Sequence, residues 1–313
     1  MGATLRSIMK TRTTKLSVVM SVFNGADYVR EAINSILSQT YQDFEFIVID
    51  DGSDDGTADI LKSYDDPRMV ILSQANQGLV ASLNLGIKQA KGAFIARQDA
   101  DDRSEPDRLQ KQMAYLSHHK QVVLLGSGMS VMNENGKITH THSVLLRDPE
   151  LRQELLVRSP FAHGSVIFKK SAAKKAGAYK KSEWPAEDYG LWLRMSKYGR
   201  LANLDEYLYV YRENSAGISS RNQSLQAEAV SKVQSLAWQE RKRLIKGGVR
   251  LSSYKKRSDG PTRIERILHN IETAARAAKQ NKDVLSYIKL INMLSLSPTA
   301  YRRLAGKMKR SGK

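Results

Sequence analysis

Two acidic clusters stand out in this sequence by residue type and spacing. Asp99-Ala100-Asp101-Asp102 sets carboxylates one residue apart, so that two of them can reach one hard divalent cation or its water shell. Mg2+ or Mn2+ held in this way commonly bridges protein carboxylates to substrate phosphates and neutralises a departing diphosphate. Asp50-Asp51-Gly52-Ser53 offers carboxylates that accept from a base N–H or from ribose hydroxyls, beside a glycine that permits close backbone approach. Each cluster has a plainer reading when taken alone. Acidic turns are common, and Ser53, Asp54 or Asp55 would cap a helix starting near Thr57.

The elements around these clusters decide whether they can act together. Leu16–Val22 is a short β-branched apolar run that reads as a buried strand, ending at the turn signal Asn24-Gly25. Tyr28–Gln39 follows as a helix with Val29, Ile33, Ile36 and Leu37 on one face. The strand Phe44–Ile49 runs directly into Asp50-Asp51. A helix at Thr57–Tyr64, a strand at Met69–Leu72 and a helix at Leu79–Ala90 lead to the strand Ala93–Ala96, which empties into Arg97–Asp102. Strands alternating with helices predict a mostly parallel, doubly wound sheet, whose ligands bind beyond the carboxyl ends of the strands. Both acidic clusters lie on that rim.

The second half is less regular. A helix is expected at Asp107–His118, a strand at Val122–Gly126, and short strand segments around Val131 and Ile138. Further strands are expected at Ser165–Phe168 and Tyr207–Tyr211, with a helix at Tyr189–Tyr198 opened by Glu187-Asp188. From about Gln223 onward the pattern is helical and basic, broken at Ser258-Asp259-Gly260-Pro261. Three segments follow: a basic tail over 1–14, a catalytic domain over 15–222 and a basic helical region over 223–313.

From about Lys15 to Ser220 the chain resembles the family 2 inverting glycosyltransferases. The blocks that carry the resemblance are Ser17–Asn24, Ser35–Tyr41, Phe46–Ser53, Asp99–Asp102, Pro160–His163, Ala186–Arg194 and Tyr211-Arg212. The Arg97–Asp102 segment is similar to that of bacterial exopolysaccharide, capsule and lipopolysaccharide enzymes. The resemblance implies a GT-A fold, with a nucleotide-sugar-binding sheet, a smaller acceptor-side subregion and the basic helical extension. It implies that Ser21 and Phe23 line the nucleotide, that Asp51 contacts uracil or ribose, and that Asp99 serves the ribose or the metal shell. Asp101 would bind Mn2+ or Mg2+. Asp188, beside Glu187 on the acceptor side, would be the base. Such a transfer is one in-line displacement, needing a base on one face of the sugar and leaving-group stabilisation on the other. The implied activity is hexosyl or N-acetylhexosaminyl transfer from a UDP-sugar to a glycan or lipid-linked acceptor. The plainer reading of Glu187-Asp188 is a helix cap, and both readings can hold at once.

Two departures from the family pattern matter. A histidine often follows the Tyr-Arg pair, whereas Glu213-Asn214 follow Arg212 here. Arg212 could still contact the diphosphate, and a surface salt bridge is the alternative. Pro160–His163 usually continues into proline, whereas this chain has Gly164; His163 reads either as an acceptor-side residue or as a buried structural one. His140 and His142, two apart on a strand, lack a third ligand and read as a solvated strand face.

Composition bounds the alternatives. The 313 residues contain no cysteine, which excludes disulfides and thiolate metal sites. No apolar run approaches the roughly 20 residues needed to cross a bilayer, so a cytoplasmic location is expected. The formal charge of +18 is uneven, because residues 226–313 carry 21 Lys and Arg against 6 Asp and Glu. Basic clusters with Trp238, Leu244, Ile245 and Leu251 suit the anionic inner face of a membrane, and a solvated appendage is the alternative. A nucleic-acid partner is disfavoured, since no recognition motif is present and carboxylates at a sheet rim repel phosphate. A sugar-phosphate nucleotidylyltransferase would need a Gly-rich cationic loop after the first strand, and Phe23-Asn24-Gly25-Ala26-Asp27 is not one.

Overall fold

The structure, a computed structural model, describes residues 14–214, 217 and 222–246. The expected N-terminal tail up to residue 13 and the basic region beyond 246, including its break at Ser258–Pro261, lie outside the described residues.

Strands β1 (Leu16–Val22) and β2 (Phe44–Asp50) are buried on both faces, as near-continuous apolar runs in a parallel sheet must be. With β3 (Met69–Ser73) and β4 (Phe94–Asp99) they form the parallel half of the sheet, in the order β3-β2-β1-β4. All four point their carboxyl ends toward the same rim. Helices α1 (Val29–Leu37) and α2 (Thr57–Lys62) pack on one face, and α3 (Leu79–Gln89) on the other. The α1 residues Val29, Ala32, Ile33 and Ile36 bury along one stripe at helical spacing. Gly86 of α3 lets that helix press onto β1, where an added Cβ would stand 2.4 Å from Val19 Cγ1.

Beyond β4 the sheet becomes mixed. The remaining strands are β5 (Arg103–Ser104), β6 (Val122–Met132), β7 (Ile138–His142), β8 (Ile167–Lys169) and β9 (Arg200–Arg212). The order runs on as β8-β6-β9-β5, with β7 paired to β6. β8 is antiparallel to β4 and β6, whereas β9 runs parallel to β6. Helices α4 (Arg108–His118), α5 (Asp148–Glu154), α6 (Lys170–Lys175) and α7 (Glu187–Met195) cover the two faces.

Several expectations on this half are corrected. β6 does not end at Gly126 but continues to Met132 and absorbs the segment around Val131. β9 starts at Arg200 rather than Tyr207, because its polar middle residues are exposed without breaking the ladder. The strand expected at Ser165 begins two residues later, after a 3-10 turn at His163–Ser165.

The last described helix, α8 (Gln223–Lys246), buries Ala229, Val233 and Ala237. Ala229 and Val233 join the apolar cluster that contains Leu191 and Trp192 of α7. α8 therefore belongs to the compact unit that holds the sheet, although the sequence division falls at residue 223.

Candidate active site

A buried polar network shapes the loop after β4. Arg108 of α4 is fully buried, and burial lowers its guanidinium to about 10. It donates to Ser104 Oγ at 2.6 Å, to Gln98 Oε1 at 3.2 Å and to the Arg97 carbonyl at 2.7 Å. Gln98 in turn donates to the carbonyls of Asp99 and Asp102, both at 3.0 Å. These bonds satisfy backbone groups that would otherwise be stranded, and they hold the acidic turn in one shape.

The turn opens into a pocket of about 330 Å3. Asp99, Asp101, Asp102, His163, Glu187 and Asp188 all line it. Arg97 lies beneath it, 1% exposed, and its guanidinium donates to Asp99 Oδ1 at 2.5 Å. The Tyr209 hydroxyl stands against the other Asp99 oxygen at 3.4 Å and accepts from the Asp99 N–H at 3.2 Å. Asp101 carries a raised carboxyl pKa, first through burial and then through the charge of Asp99. A cation at this turn would relieve both effects, and a carboxylate oxygen set suits a hard divalent ion. Among the described residues no cluster of three or more His, Asp or Glu side chains converges. An ion held by Asp101, with Asp99 in its shell, would therefore complete its coordination from phosphate oxygens and water, the usual habit of Mg2+.

Glu187 and Asp188 open α7 behind Ala186 at the N-cap position, which makes no side-chain cap bond. Both carboxylates stand in the first turn, where negative charge suits the helix N-terminus, and Asp188 accepts from first-turn backbone N–H groups. Burial raises both carboxyls, Glu187 to about 7 and Asp188 to about 6. The charge of Asp188 adds to the first shift, and that of Asp99 adds to the second against an opposing backbone hydrogen bond. Glu187 is 5% exposed and its Oε2 has no hydrogen-bond partner. His163 Nε2 meets the Tyr179 hydroxyl at 2.8 Å, and burial pushes its imidazole down to about 3, so it is neutral at physiological pH.

Other expected site residues have duties to the protein. Asp51 is 2% exposed; its carboxylate accepts from Gln74 Nε2 at 2.7 Å, from the Gln77 N–H at 3.0 Å and from the Gly78 N–H at 2.8 Å. It fastens the segment before α3 to the end of β2 and does not line the pocket. Gly52 serves the same joint, because an added Cβ would stand 2.8 Å from the Asn76 nitrogen. Ser53, Asp54 and Asp55 tie the loop after β1 to the loop after β2 through the N–H of Asn24, the side chain of Asn24 and the N–H of Ala26. Ser21 pairs with Ile49 and Asp99 in register on the central strand, and Phe23 beyond it is 52% exposed.

Arg212 is 3% exposed and lines the pocket. Its guanidinium donates to the Asp101 carbonyl at 2.8 Å and to the Glu134 carbonyl at 2.9 Å, and it forms an ion pair with Glu31. Arg212 thereby holds the acidic turn at the pocket wall. Asn214, in the region where the family often has histidine, donates to Asp101 Oδ2 at 3.3 Å.

The sequence marks Arg97 only as the start of the Arg97–Asp102 segment and gives no sign of the roles of Tyr179 and Tyr209. Tyr179 meets His163 only through the fold.

A sheet whose parallel half carries carboxylates at its carboxyl rim, continued by mixed strands and sharing one pocket with a second acidic pair, has the GT-A architecture. The Glycosyl transferase family 2 profile matches residues 17–177, and the chain belongs to that family and is a glycosyltransferase. It is 38% identical over 216 residues to the putative glycosyltransferase EpsE of Bacillus subtilis, covering 66% of this chain and 76% of that one. It is 36% identical to the O-antigen biosynthesis glycosyltransferase WbnJ of Escherichia coli, covering 63% of this chain and 79% of WbnJ. Among solved structures, S. aureus TarS 1–349 in complex with UDP-GlcNAc superposes with a TM-score of 0.58 at 21% identity. That match covers 71% of this chain and 66% of the TarS chain, and it speaks for the fold.

Proposed function

We propose that the enzyme transfers a hexosyl or N-acetylhexosaminyl group, with inversion, from a UDP-sugar to a glycan or lipid-linked acceptor in bacterial surface polysaccharide synthesis. One observation carries this reading: Asp99 and Asp101 share a single pocket with Glu187 and Asp188. Relatives named for O-antigen and amylovoran biosynthesis support the pathway class. The UDP and UDP-GlcNAc complexes of TarS support the donor class.

In this reading Ser21, Phe23 and the loop held by Asp51 border the base and ribose, with Asp99 toward the ribose. Asp101 would hold Mn2+ or Mg2+, which when bound would supply charge neutralisation for the departing diphosphate. Asp188 takes the proton from the acceptor hydroxyl as that oxygen bonds to the anomeric carbon and the bond from that carbon to the diphosphate oxygen breaks. The proton ends on Asp188 and the electron pair on the nucleoside diphosphate. Glu187, buried and with its carboxyl raised, adjoins the acceptor without adding a full negative charge near neutrality, and neutral His163 borders the same side.

Transfer and donor hydrolysis assayed with UDP-, GDP- and TDP-sugars, with and without Mn2+, test the proposal. Asp101→Ala is expected to abolish metal-dependent donor binding. Asp188→Asn is expected to keep donor binding and lower kcat by about 10^2- to 10^4-fold, the usual contribution of a general base. Wild-type turnover by both variants would remove these assignments. The basic C-terminal region is proposed to dock on anionic lipid at the cytoplasmic face of the membrane, close to a lipid-linked acceptor.

A further inference from the structure

We propose that Tyr209 is a positioning residue: its hydroxyl, seated in a niche left open by the glycine at 164, fixes the Asp99 carboxylate and thereby sets donor affinity. The proposal rests on the donor-side role given to Asp99 above.

Asp99 ends β4, and a lone aspartate there would sample several staggered rotamers. Here each carboxylate oxygen meets a different protein donor. Arg97 Nη2 bonds Oδ1 at 2.5 Å, and the Tyr209 hydroxyl stands 3.4 Å from Oδ2. The same hydroxyl accepts from the Asp99 backbone N–H at 3.2 Å, so it holds the main chain and the side chain of one residue together. A carboxylate gripped in this way loses no rotamer freedom when a ligand arrives, and preorganisation of that kind is read as affinity.

Three features aim the hydroxyl. Across β6 and β9 the pairing steps from Ser127–Leu204 to Gly128–Tyr207 and then to Met129–Tyr209. The extra β9 residues re-aim the strand so that Tyr209 and Tyr211 both line the pocket. The Tyr209 ring is 1% exposed and lies over the Arg108 guanidinium, 5.2 Å from its carbon to the ring centroid. Residue 164 then supplies the space. A Cβ at Gly164 would stand 1.8 Å from the Tyr209 hydroxyl, 2.2 Å from Cζ and 2.7 Å from Asp99 Oδ2. Any side chain there would have to displace the group that holds Asp99.

The test compares wild type, Tyr209→Phe and Asp99→Asn by calorimetric titration with UDP and Mn2+, together with donor KM, kcat and Tm. Phenylalanine keeps the ring and its packing and removes only the hydroxyl. Tyr209→Phe is expected to weaken UDP binding and raise donor KM about tenfold, the usual scale for a lost hydrogen bond to a charged group. Its kcat at saturating donor should stay within about twofold, and its Tm within about 4 °C of wild type. Gly164→Ala should weaken UDP binding at least as much. An unchanged Kd in Tyr209→Phe, beside a weakened Asp99→Asn, would overturn the proposal and leave the donor-side reading standing. A large Tm loss with unchanged Kd would make Tyr209 purely structural and would likewise overturn it. If Asp99→Asn also binds UDP like wild type, the donor-side reading itself fails.

Discussion

Burial acts on Glu187 and Asp188 in the same direction, and that has consequences for the pH dependence of both rate and stability. A base must be ionised to accept a proton. With the Asp188 carboxyl raised to about 6, kcat should fall as pH drops through about 6, where an ordinary aspartate would hold the limb near 4. Stability follows the opposite sense. Glu187 has a folded pKa of about 7, above its ordinary value near 4.5, so folding takes up a proton between those values. Its favourable contribution is complete below about 4.5 and is lost as pH rises through 7. Glu187→Gln should therefore lessen the fall in Tm between pH 6 and 8. A pH–kcat profile with its acid limb near 4, or a Glu187→Gln melting curve with the same pH slope as wild type, would contradict this account. The carboxylates themselves were legible in the sequence because residue type and order suffice to flag them. Their cationic and phenolic partners were not. Arg97 shares a strand with Asp99, but Tyr209 lies 110 residues away and meets it only through the pairing of β9 with β6.

At the scale of elements, the parallel half of the sheet is the easiest to read, since β1 and β2 are mostly apolar and each is followed by a clear turn and a helix. The second half resisted for a physical reason. β7 is exposed along its length and β9 exposes Glu206 and Tyr207 in its middle, so hydrophobic runs underestimate them, and β6 continues through Gly126, which reads as a strand end. The loops after β1 and β2, which the family resemblance assigns to the nucleotide, also hold one another and the segment before α3. Asp51 is the clearest case of the second tie. Removing its side chain by Asp51→Ala would take the carboxylate acceptor from the N–H groups of Gln77 and Gly78 and loosen the segment before α3. The expected loss is about 1–3 kcal/mol of stability, from lost hydrogen bonds to a charged group. In urea this should appear as a lower midpoint with an unchanged slope. A midpoint within error of wild type would mean that the loop is held by other contacts.

At the scale of the whole molecule, the charge and the packing divide the chain in different places. The helical, basic pattern marks a boundary near Gln223, yet α8 buries Ala229 and Val233 in the core cluster that holds α7 and carries Gln226 at the pocket. A small apolar stripe inside a polar, basic helix is easily outweighed in composition, although it fastens α8 to the unit that holds the sheet. The residues after Lys246 carry 16 Lys and Arg against 4 Asp and Glu, and it is on them that the membrane proposal chiefly rests. Two truncations separate the contributions. A chain ending at Lys246 keeps the buried stripe and should retain the wild-type Tm and donor binding. It should lose flotation with phosphatidylglycerol vesicles, since each near-surface cation contributes about 1 kcal/mol. A chain ending at Asn222 removes Ala229, Val233 and Ala237 from the core and should melt lower or fail to fold. Binding to anionic vesicles that persists in the Lys246 chain would locate the lipid contact on the folded unit, and binding that is equally strong to neutral phosphatidylcholine would rule out charge as its cause.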